Sequence, residues 1–175
     1  MKRIKAFTLI ELLTTVSVIG ILFAIGVPAF TSYSQSNRLI TDTNSFVGAL
    51  NITRSEAVKR RRNISICPSN DGATCGNGLA WNVGYIIFVN LDNDDPAQVD
   101  ADEEIVKIYG SLNASSNLLA SAALTQSITY RPNGFSNAQG EFILCKGSEA
   151  PTARSISVGR TGRPSVSKGG GTCSP

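Results

Sequence analysis

From Leu12 to Phe30 the chain runs 19 residues without a charged side chain. Before this run come three cations, Lys2, Arg3 and Lys5, and a single acid, Glu11, at its edge. As a helix rising about 1.5 Å per residue, the run spans roughly 30 Å, one hydrocarbon core. That commits the N-terminus to a membrane-spanning helix and leaves the rest to fold outside lipid. Cations before the run and none directly after it orient the head to the cytoplasm and the body to the other side. A secretory signal would end its apolar stretch in a small-residue site such as A-x-A; this run is longer and carries Glu11 near its start. An ionised carboxylate inside hydrocarbon costs about 2–3 kcal/mol, less near an interface. Glu11 therefore needs a cationic partner.

The formal charge of +3 belongs to the head: without its three cations, 13 basic residues face 13 acidic ones. Any attraction to a polyanion must come from a local patch. Apolar content of 42% with 17% charged residues fits one globular domain plus a hydrophobic segment. There is no histidine, which excludes a Ser-His-Asp triad, a Cys-His dyad and His-bearing zinc sites. With no nucleophile–base pair either, the chain reads as non-enzymatic, with no metal and no cofactor. Cys67, Cys75, Cys145 and Cys173 show no C-x-x-C spacing and predict two disulfides in an oxidising compartment. Three connectivities are open; proximity favours Cys67 with Cys75, which leaves Cys145 with Cys173 to staple a Gly-rich tail.

Gly20, Gly26 and Pro28 predict a bend or local melting over 20–28. Beyond them Leu39, Phe46, Leu50 and Ala57, with Ile40, Val47 and Val58 beside them, recur at three- and four-residue steps. Asn, Thr, Ser and Arg fill the opposite face. The period then changes. Ile64 and Ile66 alternate into Cys67, residues 68–78 are rich in turn formers, and 83–91 reads as a strand. Shorter strands are expected over 104–109, 127–131, 141–145, 155–158 and 165–167, with a turn at Pro132-Asn133-Gly134. The fold class is α+β, a long N-terminal helix packed on one or two antiparallel sheets. No internal repeat and no linker to a second domain are visible.

The string KAFTLIELL resembles the class III signal of type IV prepilins and type II secretion pseudopilins. The resemblance implies a leader over 1–6, a membrane or filament-core helix half over 7–30, and a globular head over 31–175. It implies cleavage between Ala6, where the family normally has glycine, and Phe7, which a prepilin peptidase would methylate. Glu11 would then be the fifth mature residue, paired in the filament with a neighbouring subunit's N-terminal amine. Further along, Cys67, Asp71-Gly72, Cys75, Trp81, Gly84 to Phe88, Cys145 and Gly162-Arg163 resemble the GspH/FimT group of minor pilins and pseudopilins, with its type IV pilin-like fold. That implies a minor pilin assisting assembly of a type IV pilus or, alternatively, a minor pseudopilin in type II secretion. The implied partners are other pilins or pseudopilins, the prepilin peptidase, an inner-membrane assembly platform and, as an additional ligand, double-stranded DNA. The implied location is the bacterial inner membrane with the head in the periplasm, then the extracellular pilus.

Three charged segments carry the remaining candidates. From Arg131 onward six cations face two acids, Glu141 and Glu149. FimT-type pilins hold DNA on a G-R-x-R loop with a basic residue just upstream. Gly162, Arg163 and Arg160 match, Ser165 stands where the last arginine would be, and Lys168 lies nearby. The structural alternative is a tight Gly-Arg turn with solvated cations. Arg54, Lys59, Arg60, Arg61 and Arg62 suit a helix C-terminus and offer a second basic surface. The acidic loop over 92–104 places Asp92, Asp94, Asp100 and Glu103 at calcium-loop positions 1, 3, 9 and 12, but Pro96 and Ala97 occupy positions 5 and 6, where glycine is needed at the latter. A solvated hairpin loop is the expectation there. Trp81, Tyr85 and Phe88 read as core packing.

Overall fold

The computed structural model describes residues 8–76, 78–112, 116–146, 149–169 and 173. Contacts divide the chain into two compact units, Met1–Asn37 and Arg38–Pro175. The helix α1, Leu9–Arg60, has residues in both.

In the first unit the helix is capped by Thr8, whose Oγ1 accepts the Glu11 N–H at 3.3 Å. Thr8 and Glu11 thus stand at the N-cap and N3 positions of a T-x-x-E capping box. The segment Leu9–Pro28 is long and apolar enough to cross a membrane. Its hydroxyls are satisfied within the helix: Thr14, Thr15 and Ser17 donate to the carbonyls of Glu11, Leu12 and Leu13 at 2.8–3.0 Å. In lipid that spares them the cost of an unmade hydrogen bond. The melting expected over 20–28 is not seen, because the α-helix continues unbroken through Gly20, Gly26 and Pro28. Pro28 removes only the bond its own nitrogen would donate, and Thr31 Oγ1 donates to the Pro28 carbonyl at 2.9 Å.

In the second unit, Leu39, Thr43, Phe46, Leu50, Thr53 and Ala57 form a buried stripe at alternating steps of four and three, a seam that stays on one helical face. Two readings of this segment need correction. Val58 is 49% exposed, since it lies one position off the seam that Ala57 occupies. Thr43 and Thr53 are buried instead of solvated. Their hydroxyls donate to the carbonyls of Leu39 and Ala49 at 2.7 and 2.8 Å, which leaves only their methyl groups to face the core.

Two antiparallel sheets complete this unit. The first has the order β3 (Ile105–Tyr109), β2 (Tyr85–Asn90), β1 (Asn63–Pro68), β5 (Ile128–Tyr130). The second has the order β4 (Ser116–Ala120), β6 (Gly140–Lys146), β7 (Glu149–Val158), β8 (Pro164–Lys168). The strand β4 is absent from the sequence reading, because SNLLA has only two large apolar residues, too few to show a period. The first half of β7 is absent too; it contains Pro151, which argues against a strand interior. Phe46 sits at the hub of the core, edge-on to Trp81, Tyr85 and Phe142 at 4.8–5.6 Å. It thereby joins the helix to β2 of one sheet and β6 of the other. Trp81 is core as expected, on a short 3-10 turn (Trp81–Val83) before β2, and its indole N–H donates to the Leu124 carbonyl at 2.9 Å.

Every residue of β2 is buried, so its outer face also needs cover. Cys67, Ile86, Phe88 and Ala97 form a second small core there, with Cys75, Val99 and Ile105 against it. The acidic loop is therefore partly a lid, sending the fully buried Ala97 into the same small cluster that contains Cys67 and is flanked by Cys75, its disulfide partner. The Cys145–Cys173 disulfide closes a third cluster with Ala153, against which Leu119 and Ile143 pack.

Candidate functional site

The processing residues Ala6 and Phe7 lie outside the described residues. Glu11 is described and exposed. Its backbone N–H belongs to the Thr8 cap, and among the described residues its carboxylate forms no ion pair. The T-x-x-E cap is a signal the sequence carried and the reading passed over. It gives Glu11 a local task in starting the helix besides any task between subunits.

The β7–β8 connection holds the other candidates. Residues 159–162 form a tight turn in which the Gly162 N–H donates to the Gly159 carbonyl at 2.8 Å. Gly162 has φ +71°, and a Cβ built on it would come within 2.8 Å of Tyr130 Cε1 and collide with the Gly134 carbonyl. Only glycine fits. The turn is fastened to the segment after β5: the Ser136 N–H donates to the Arg160 carbonyl at 3.2 Å and its Oγ to the Gly159 carbonyl at 3.0 Å. On the far side of that segment Arg54 of α1 donates through Nε to the Gly134 carbonyl at 3.0 Å. Helix, first sheet and second sheet thus meet at the Gly134–Gly162 junction.

Beneath it Tyr130 is fully buried and its hydroxyl has no hydrogen-bond partner among the described residues. Burial pushes its pKa well up, slightly opposed by the charge of Arg54, so the phenol stays protonated. Above the junction Arg160 and Arg163 are exposed. Lys168 is not brought to them. It pairs in register with Arg154, at the end of the hairpin away from the Val158↔Pro164 pair that flanks the turn.

At the helix end Glu56 bonds Lys59 and Arg60 at 3.2 and 2.9 Å, and Arg60 reaches Glu104 at 2.8 Å. These bonds, to Arg60 first, hold the Glu56 carboxyl below its ordinary value. Two of the five cations of this segment are thereby used locally. Arg61, at φ 52°, turns the chain out of the helix and Arg62 follows it, both exposed.

The structure gathers Asp92, Asp100 and Glu103, each with a carboxylate oxygen within 4.8 Å of the others. Such a set of hard oxygens is the type that suits a divalent cation. Asp94 leaves the set, accepting from Asn90 Nδ2 at 3.0 Å and the Gln98 N–H at 2.7 Å. Glu103 accepts the Leu91 and Asp100 N–H groups at 2.6 and 3.1 Å, so the same oxygens already close the loop. Burial raises the pKa of both Asp94 and Glu103. Asp71 is the opposite case. Its carboxylate accepts the Ala73 and Thr74 N–H groups at 2.8 and 2.9 Å, and these backbone donors hold its pKa well below the ordinary range.

A groove of about 870 Å³ is lined by Asp42, Ser45, Asn82, Tyr85 and Tyr109 among others. Three of its polar groups are already engaged: Asp42 accepts from Ser116 Oγ at 2.8 Å, and Tyr85 bonds Ser45 while burial raises its pKa to about 12.

Comparison with known proteins agrees with this architecture. Residues 1–27 match the prokaryotic N-terminal methylation motif, and residues 42–162 match the family described as type II transport protein GspH. Two fimbrial proteins of Pseudomonas aeruginosa are each 28% identical over 158 residues, covering 87% of this chain and 92% of theirs. The crystal structure of the type IV minor pilin FimU of Pseudomonas aeruginosa superposes with a TM-score of 0.62 at 21% identity, over 81% of this chain and 99% of that one. With an N-terminal methylation motif, a pilin-like α+β fold and a family match over more than two thirds of its length, the chain belongs to the GspH/FimT family of pilin-like proteins.

Proposed function

We propose that this chain is a minor pilin, a structural and non-enzymatic subunit that enters a type IV pilus and assists its assembly. The observation that carries this is the joining of an apolar span, Leu9–Pro28, and an exposed Glu11 at its start to a globular head fastened by two disulfides. The span anchors the chain in the inner membrane with the head in the periplasm. A prepilin peptidase cuts between Ala6 and Phe7 and methylates Phe7, which removes three cations that resist withdrawal from the membrane. The new amine of one subunit and Glu11 of the next then neutralise each other in the filament core. Other pilins and the inner-membrane assembly platform are the partners of this step.

The names of the relatives, fimbrial protein and minor pilin, favour a pilus. The family's description as a type II transport protein keeps a secretion pseudopilin as the second reading. Deletion of the gene separates them. Loss of surface pili and twitching with secretion intact supports the pilus, and loss of secretion with pili intact refutes it.

A further role is capture of double-stranded DNA on the β7–β8 turn. Arg160 and Arg163 stand exposed on a turn whose backbone is fixed from two sides, the arrangement that lets cations meet phosphates without ordering a loop first. Binding of duplex DNA by wild type, lost in Arg160→Gln with Arg163→Gln, supports this role; equal binding by both sinks the arginine assignment.

A further inference from the structure

The groove of about 870 Å³ on the head falls within the usual size of a ligand site, about 300–1,000 Å³. Its lining brings α1, through Asp42 and Ser45, together with Asn82 and the segment 109–112 that runs on from β3. Beyond the bonds already described, several polar groups stay open. Asp42 uses Oδ2 for Ser116, and its Oδ1 accepts nothing among the described residues. Asn82 is half-buried and accepts the Leu112 N–H at 2.9 Å on its backbone carbonyl. Its side-chain amide has no partner among the described residues. The backbones of the exposed Gly110 and Ser111 likewise make no hydrogen bond there. These two residues continue an edge: β3 pairs only with β2. Exposed edges invite another strand unless a charge, proline or bulge blunts them. Over β3 Lys107 does so, its Nζ lying 5.0 Å above the Tyr109 ring. Gly110-Ser111 carries no such guard.

We propose that this groove receives an extended segment of a neighbouring, different pilin-like subunit, which lies along Gly110 and Ser111 and directs a lysine or arginine at Asp42. The proposal rests on the assembly role given above. Asp42 is the one charged side chain among the described residues lining the groove, so the complementary group on the occupant is a cation. The Asn82 amide carries both a donor and an acceptor, the pair that matches the C=O and N–H of a peptide. An extended chain repeats those groups along its length and so also meets the open backbone of 110–111. Main-chain bonds of this kind give affinity, and the side-chain pocket beside them gives specificity. A compact ligand meets Asp42 and Asn82 but has no use for an unpaired strand edge.

The test places the photocrosslinking residue benzoylphenylalanine at Ser111 of the full chain in its own cells. A second position, Val16, is exposed in the apolar span. Peptide mass spectrometry of the Ser111 adduct should identify a different subunit that carries its own N-terminal methylation motif, joined through a segment holding a lysine or arginine. Asp42→Asn should lower the adduct yield about fivefold, the upper end for a partly exposed ion pair, and Asp42→Arg should abolish it. Ser116→Ala removes the internal bond of Asp42 but keeps its carboxylate, and should give the wild-type yield. A drop in Ser116→Ala equal to that in Asp42→Asn overturns the cation pairing, since the loss is then structural. An adduct with a second copy of this chain, or with a protein lacking the motif, overturns the stated occupant. No adduct at Ser111 overturns the groove. Adducts to other pilins at Val16 then leave the assembly reading standing, whereas none at either position removes that reading too.

Discussion

Replacing Gly162 by alanine tests whether the basic turn is a built element or a flexible loop. The residue has φ +71°, and its Cβ would meet Tyr130 Cε1 at 2.8 Å as well as the Gly134 carbonyl. The left-handed backbone costs a non-glycine residue about 1–2 kcal/mol. Forcing a methyl into a filled junction adds about 1–3 kcal/mol, and neither the Gly134 carbonyl, held by Arg54, nor the buried Tyr130 ring can withdraw freely. A total of about 2–5 kcal/mol follows. For a head of this size each kcal/mol moves Tm by roughly 3 °C, so Gly162→Ala should melt about 6–15 °C below wild type by circular dichroism. Gly159→Ala is the control, since nothing lies within 4 Å of its Cβ, and it should shift Tm far less. A Gly162→Ala melt within about 2 °C of wild type would refute the packed junction and, with it, the claim that Arg160 and Arg163 stand on a fixed backbone.

Four further outcomes follow from the same structure. Tyr130→Phe should be neutral or slightly stabilising in chemical denaturation, because the buried hydroxyl it removes has no partner among the described residues; a loss above about 1 kcal/mol would mean that a bond is made there. The Cys145–Cys173 bridge closes 28 residues against 8 for Cys67–Cys75. Loop entropy therefore makes the paired Cys→Ser change at the former costlier by about 1 kcal/mol, about 3.6 against about 2.5, as read from denaturation midpoints. The pH dependence has two signs. Asp71, with its pKa lowered, contributes stability that is present above its ordinary value of 3.8 and is lost as pH falls, so Asp71→Asn should flatten the acid limb of a melt series. Asp94 and Glu103, raised by burial, act oppositely: their contribution falls as pH rises from the ordinary carboxylate values through the raised ones. Finally, Glu11→Ala should leave membrane insertion intact and deplete the chain from sheared filaments by about 30-fold, the equivalent of ~2 kcal/mol of lost pairing; undiminished incorporation would contradict the pairing role.

How much was legible beforehand divides along physical lines. The membrane span, the helix face around Phe46 and the strands rich in Ile, Val, Tyr and Phe announce themselves because burial imposes a period or a long apolar run. Thr43 and Thr53 misled, since a threonine that bonds back into its own helix behaves as a small apolar residue, which composition does not reveal. The strand β4 and the first half of β7 were invisible because pairing partners, not their own residues, hold them as strands. The candidate site was half legible. Arg160, Gly162 and Arg163 are adjacent in sequence, but the tie through Ser136, Gly134 and Arg54 is made of long-range contacts without a local signature. Lys168 is near in sequence and distant along the hairpin, the converse error.

Entry of the chain into a filament depends on what happens at its first residues. Intact-mass and N-terminal peptide spectrometry of the chain purified from its own membranes reads this directly. A mature chain that begins at N-methylated Phe7, with residues 1–6 gone, is the predicted result. A chain that keeps Met1 and the three leader cations, in cells where other prepilins are processed, would contradict it.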